Sequence, residues 1–217
     1  MLTIALCRDS ATAQAQRKRW FDPHMQYLHS IMSNIRLVAP LATADGAALS
    51  GDARLVASIF AVETPTWTIA RELIGSDPYV RSGVWGTVDL FGVTDIYGEW
   101  ATTSPGTQRS VRLYSAFGAA KGSHDAEPTN ECFVNHRRYM SKLTTPALFG
   151  GKLTAAGSIG AAMDREAWVS IDFIAADSLS HAESIIANDP CVADGSWSAR
   201  VMAIPLALGS WTGITAP

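Results

Sequence analysis

The stretch Gly75-Ser-Asp-Pro-Tyr-Val-Arg-Ser-Gly-Val-Trp85 has an echo in Ala187-Asn-Asp-Pro-Cys-Val-Ala-Asp-Gly-Ser-Trp197. Asp77, Pro78, Val80, Gly83 and Trp85 recur as Asp189, Pro190, Val192, Gly195 and Trp197, each 112 positions later. Laying residues 20–87 on 132–199 at that shift gives 15 identities in 68 positions, about 22%. Unrelated segments of this composition would share roughly 6 to 8%, so the chain contains a diverged internal repeat. Phe21, His24 and Tyr27 recur as Phe133, His136 and Tyr139. His24 and Asp77 are 53 residues apart, as are His136 and Asp189, so the pair belongs to the repeating unit. Asp-Pro after a helix reads as a stop and turn, the glycine permits a tight backbone, and the tryptophan buries a large ring.

The surrounding elements fall in a regular order. Residues 2–7 form a short apolar run closed by Arg8-Asp9-Ser10, which suits a strand. Trp20, His24, Tyr27, Leu28, Ile31 and Met32 share one helical face. Asp22-Pro23 offers an N-cap with proline at the first helical position, so the pattern predicts a helix starting there with His24 in its first turn. Strands are expected at 37–41 and 55–62 across an Ala/Gly/Asp-rich connection, and Pro40 marks the first as an edge or an end. A helix carrying Trp67, Ala70, Leu73 and Ile74 stops at Gly75, and a strand runs over 84–93. A Gly/Ser/Thr/Pro-rich stretch anchored by Trp100 reads as a linker, after which the order repeats. The second pass has a strand at 111–117, a polar loop at 121–129 and a helix with Phe133, His136, Tyr139, Met140 and Leu143. Strands at 148–154 and 168–175, a helix capped by Asp177 and a last strand at 198–206 complete it. The expected division is copy one at 1–95, linker at 96–108 and copy two at 109–217.

Bulk properties narrow the classes. The 217 residues, 47% hydrophobic and 17% charged, have ordinary globular composition. A net charge of -3, with only Arg17-Lys18-Arg19 as a basic run, gives no footprint for nucleic acid. No stretch approaches the roughly 20 apolar residues of a membrane span, and residues 1–8 lack the build of a signal peptide. Cys7, Cys132 and Cys191 are scattered, without a Cys-x-x-Cys pair, and are expected as reduced thiols of a cytoplasmic protein.

The phrases Phe21-Asp-Pro-His-Met-Gln-Tyr-Leu28, Ser76-Asp-Pro-Tyr-Val-Arg-Ser-Gly83 and Asp177-Ser-Leu-Ser-His-Ala-Glu183 leading into Asn188-Asp-Pro190 resemble the YCII-related (YciI-like) family. The resemblance implies an α+β fold, with two ferredoxin-like (βαββαβ) halves forming the dimeric α+β barrel within one chain. It also implies that His24 with Asp77, and His136 with Asp189, are active-site pairs. Relatives of that family include a dehydrochlorinase acting on a chlorinated hydroxyhydroquinone. The copies differ from each other: Cys191 stands at the place of Tyr79, and Arg137-Arg138 at that of Met25-Gln26. The two pockets are therefore not expected to be equivalent.

A His beside a carboxylate is a general base or acid held in one tautomer, the second ring nitrogen handling the substrate proton. The sequence shows no metal-ligand cluster, phosphate loop or nucleophile elbow. The dyad suits cofactor-independent elimination or isomerisation of an oxygenated aromatic small molecule. Tyr79, Trp85, Trp197, Arg137 and Arg138 are candidates for substrate binding, the arginines as anion-binding groups. His29, His124 and His181 have no repeat partner and read as local contacts, and Cys191 reads as a small buried thiol. The plain structural alternative is that the His and Asp residues cap helices and turns, in a barrel that binds a small ligand without catalysis or serves assembly. Fusing two halves removes the need for a homodimer without forbidding one.

Overall fold

The computed structural model describes residues 1–43, 55–98, 112–120, 130–143, 147–160, 168–205 and 208. The connection at 44–54, most of the linker with Trp100 and the loop at 121–129 lie outside them. In chain order the elements are β1 (Leu2–Asp9), α1 (Ala13–Ser30), β2 (Ile35–Ala42), β3 (Leu55–Glu63), α2 (Trp67–Gly75), α3 (Pro78–Arg81) and β4 (Trp85–Tyr97). The second set is β5 (Arg112–Ala120), α4 (Asn130–Met140), β6 (Ala147–Gly160), β7 (Trp168–Ala176), α5 (Leu179–Ala187), α6 (Pro190–Ala193) and β8 (Trp197–Ile204).

The strands close a barrel in the order β1-β3-β2-β8-β5-β7-β6-β4, every described pair antiparallel. Within it β4-β1-β3-β2 and β8-β5-β7-β6 are the same ferredoxin-like sheet, so the fold is a dimeric α+β barrel made within one chain. The two joins differ. β4 pairs with β6 from Thr87↔Gly160 to Tyr97↔Gly150, whereas β2 meets β8 only at Ala42↔Ala203, beside a bridge from Val38 to Leu208. Pro40 thus sits in a strand whose second edge is sparsely paired, where a missing N–H costs little.

Alternation along the strands sorts side chains into layers. Ile4 and Leu6, Ile59 and Ala61, Phe117, Ile171 and Phe173 fill the barrel interior. Ala5, Cys7 and Phe60 face α1 and α2, while Tyr114, Ala116 and Ile174 face α4 and α5. Both His/Asp pairs lie in these outer layers between helix and sheet.

The repeat is copied into local geometry. Thr66 caps α2 and Ser178 caps α5, each accepting from the backbone N–H three residues on. Asp77 and Asp189 then cap the single turns α3 and α6, accepting from the N–H of Tyr79 and of Cys191 at 2.8 Å. Gly83 and Gly195 follow at φ 72° and 80°, a left-handed conformation that favours glycine, and turn the chain into Trp85 and Trp197. Tyr27 and Tyr139 donate to the carbonyls of Leu73 and Ile185, tying helix to helix.

Two expectations are corrected. α1 does not start at Asp22; it begins at Ala13 and runs through Pro23. Proline there removes the bond to the Arg19 carbonyl, and because Arg19 is exposed the loss costs less than it would in a buried turn. The upstream turns are anchored by buried Ala13 and by Arg17 on Asp9. His24 therefore sits mid-helix, away from the terminal dipole. The cap of α5 is Ser178, not Asp177.

Candidate functional site

α1 and α3 pack together and bring His24 onto Asp77. His24 Nδ1 is 2.9 Å from each Asp77 carboxylate oxygen, and Asp77 is fully buried. The N-cap fixes that carboxylate, so the imidazole presents Nδ1–H to it and Nε2 is the remaining nitrogen. Among the described residues no hydrogen bond engages His24 Nε2. The ring stacks on Tyr79 at 4.0 Å between centroids and meets Trp85 edge-on at 5.6 Å. Tyr79 donates its hydroxyl to the Arg17 carbonyl, and the Arg17 guanidinium lies 5.5 Å from the Tyr79 ring centre. Arg17 is held in turn by both oxygens of Asp9 and by Ser58. Cys7 is free and buried nearby; burial first, then the Asp77 charge, push its pKa well up, so it stays a thiol. Beside Asp9 a cleft of about 440 Å³ is lined by Ser10, Ala13, Gln14, Thr43 and Val56. His24 is outside that lining; contacts from Asp9 through Arg17 and Tyr79 lead to it.

The second pair is closed on every side. His136 Nδ1 is 2.6 Å from Asp189, while Nε2 is 2.7 Å from the Tyr97 hydroxyl and 3.4 Å from Asp172. Tyr97 donates its own proton to Asp172. Tyr97 comes from β4, in the other half, and reaches the site across the β4–β6 join. Gly150 lies beside both groups, and a Cβ there would come within 2.5 Å of Asp172 and Tyr97. Burial pulls the His136 pKa down, but Asp172 and then Asp189 outweigh it and lift it to about 10. Tyr97 is pushed well above its usual value, first by burial and then by Asp172. The group is thus an imidazolium between two carboxylates, with a neutral phenol donating to one of them.

The other candidates divide. Tyr79 and Trp85 touch His24, and Trp197 lies 5.1 Å from His136. Arg137 and Arg138 are on the exposed face of α4, Arg138 bonded to Asn135. The reduced-thiol expectation is corrected for two cysteines: Cys132 on α4 and Cys191 on α6 form a disulfide, with Cα atoms 5.7 Å apart. Only helix packing joins positions 59 apart, which spacing rules do not see. The bond also removes the thiol argument for a cytoplasmic site. Among the described residues no helix is long and apolar enough to cross a membrane.

Sequence reasoning missed Arg17 and Asp9 at the first site, and Tyr97, Asp172 and Gly150 at the second. Asp172 carried a signal, a lone acid inside the apolar run Trp168–Ala176. Tyr97 falls within the expected linker at 96–108, whereas it ends β4.

No model of a known protein family and no curated protein sequence matches this chain. Its fold is similar to that of an anthrone oxidase-like protein, at 10% identity over 100% of this chain and 96% of the other, with a TM-score of 0.52. A variant chlorite dismutase from Candidatus Nitrospira defluvii shares 9% identity over 94% of this chain and 90% of its own, with a TM-score of 0.51. A 5-chloro-2-hydroxyhydroquinone dehydrochlorinase from Burkholderia phenoliruptrix AC1100, in complex with 2,5-dihydroxybenzoquinone, aligns with 42% of this chain over 90% of its own length. Its identity is 20% and its TM-score 0.37. At such identities the likeness is one of fold.

Proposed function

We propose that this chain is a small-molecule enzyme of the YCII-related type, and that His24 with Asp77 is its working site. The observation that carries the reading is a His whose Nδ1 is fixed by a buried, doubly engaged Asp and whose Nε2 has no hydrogen bond among the described residues. Nε2 takes the proton from a phenolic hydroxyl or an acidic carbon, and Asp77 stabilises the imidazolium that forms. In an elimination the electron pair released expels the leaving group as its anion; in an isomerisation the imidazolium returns the proton to another atom of the substrate. His136 has no free nitrogen for such a step, and its network serves to join the halves.

The test uses a panel of halogenated and unhalogenated hydroquinones, following halide release and ultraviolet spectra of the products. His24→Ala is expected to lower turnover by roughly 10²- to 10⁴-fold. Turnover that survives His24→Ala would sink the reading and favour a barrel that binds its ligand without chemistry.

A further inference from the structure

We propose that Arg17 is a positioning residue of the His24 site: it anchors the Tyr79 ring that fixes the plane of the imidazole, and so the direction in which Nε2 points. The inference rests on His24 being the working site, and adds what aims it.

One hydrogen bond does not orient a ring. The contact of Nδ1 with the Asp77 carboxylate holds one corner of the imidazole and leaves rotation about that contact to be fixed by packing. His136 needs no such help, because Asp189 and Tyr97 hold its two nitrogens. At His24 the second constraint is the Tyr79 ring, 4.0 Å from the imidazole and 8° from parallel to it. Tyr79 is gripped at both ends, its backbone N–H on Asp77 and its hydroxyl on the Arg17 carbonyl. Burial pushes the phenol up against the pull of the Arg17 charge, so it stays protonated and keeps donating. The Arg17 guanidinium lies over the same ring, 5.5 Å from its centre. A two-bond fork on Asp9 and a bond to Ser58 plant that guanidinium on β1 and β3. Arg17 and His24 are seven residues apart on α1, two turns along one face, so Tyr79 spans from one to the other. At the 112 shift, Lys121, Thr129 and Cys191 stand where the first half has Asp9, Arg17 and Tyr79. The residues of this support are thus present in the half whose imidazole is bonded through one nitrogen, and replaced in the half where both are bonded.

The experiment reads the His24 ring protons of the full chain by NMR, and kcat and KM on the hydroquinone panel. A stacked Tyr79 ring shields those protons, so they resonate upfield of a free imidazole. Arg17→Gln is expected to relax that upfield shift and to lower kcat by roughly 10- to 100-fold with KM little changed. Arg17→Lys keeps the charge without the planar fork and should recover part of both. Tyr79→Leu removes the stack outright, and Arg17→Gln added to it should cost no further kcat, because Arg17 acts through Tyr79. Circular dichroism selects the folded variants; if Arg17→Gln does not fold, Asp9→Asn, which loosens the guanidinium from the strand side, is expected to give the same changes in smaller measure. Ring-proton shifts that stay put in a folded Arg17→Gln or Asp9→Asn chain, or a full further loss of kcat in the Tyr79→Leu background, would overturn the proposal and leave His24 as the base. Turnover that survives His24→Ala brings down that reading and the proposal with it.

Discussion

His24 and His136 occupy the same place in two copies of one unit, yet only one of them has a nitrogen to spare. Each donates Nδ1 to the Asp that caps the next short helix. The difference is made on the third strand of each half, where Phe60 stands in one copy and Asp172 in the other. Phe60 gives the first imidazole an apolar neighbourhood, packing edge-on against Trp85. Asp172 gives the second a second carboxylate, and Tyr97 completes the shell from across the barrel. A buried polar network is worth most when every member is satisfied, and such a network has no valence left for a substrate. One copy thus spends both imidazole nitrogens on its network, and the other leaves Nε2 without a hydrogen bond among the described residues.

The comparison breaks first, and hardest, at Asp172. Asp172→Ala removes one partner of a buried ion network and leaves the Tyr97 hydroxyl without its acceptor. The expected loss is about 3–5 kcal/mol of unfolding free energy by urea titration. A loss below about 1 kcal/mol would mean that the network does not hold the join. The turnover proposed for His24, measured on the folded fraction, should be retained.

Next in size is a dependence on pH. Below the ordinary imidazole value of 6.5 His136 is charged in folded and unfolded chains alike, and its stabilisation is fully present. Above it the unfolded chain gives up the proton while the folded chain keeps it, so stability falls steadily until the folded group titrates at about 10. Calorimetry between pH 6.5 and 10 should show the melting temperature dropping by on the order of 10 °C. His136→Gln should flatten most of that slope, and a slope unchanged by the substitution would remove His136 as its source.

Much of this was legible in the sequence, because a shift of 112 residues held from the first helix to the last short one. That constancy pointed to the two like-built sheets, the Asp-Pro turns and the spacing of each His from its Asp, though not to the caps of α1 and α5. What escaped is what the two halves do to each other. Tyr97 reaches His136 only because β4 pairs with β6, a contact no local pattern encodes. Gly150 reads as a strand irregularity until Tyr97 and Asp172 are seen to need its missing side chain. Pro23 looked like a helix start because its cost depends on whether the Arg19 carbonyl can reach water, which is a matter of burial. The Cys132–Cys191 bond likewise follows from packing of α4 on α6; the matching positions in the first half hold Trp20 and Tyr79.

The finest contrast comes from deleting one hydroxyl at each site. Tyr97→Phe leaves a buried carboxylate oxygen of Asp172 and His136 Nε2 without their bridging group, where water has no access. About 2–3 kcal/mol should be lost, since bonds to charged groups carry the larger penalty. Tyr79→Phe keeps the ring on His24 and removes only the bond to the Arg17 carbonyl. That carbonyl is part-buried and neutral, so the cost should be about 1 kcal/mol or less. His24 signals should keep their contact with Asp77 in Tyr79→Phe, as the stack and the cap are untouched. Equal losses for the two variants in parallel urea titrations would contradict the division into a closed site and an open one. A larger loss for Tyr79→Phe would reverse it, making the first half the fastening.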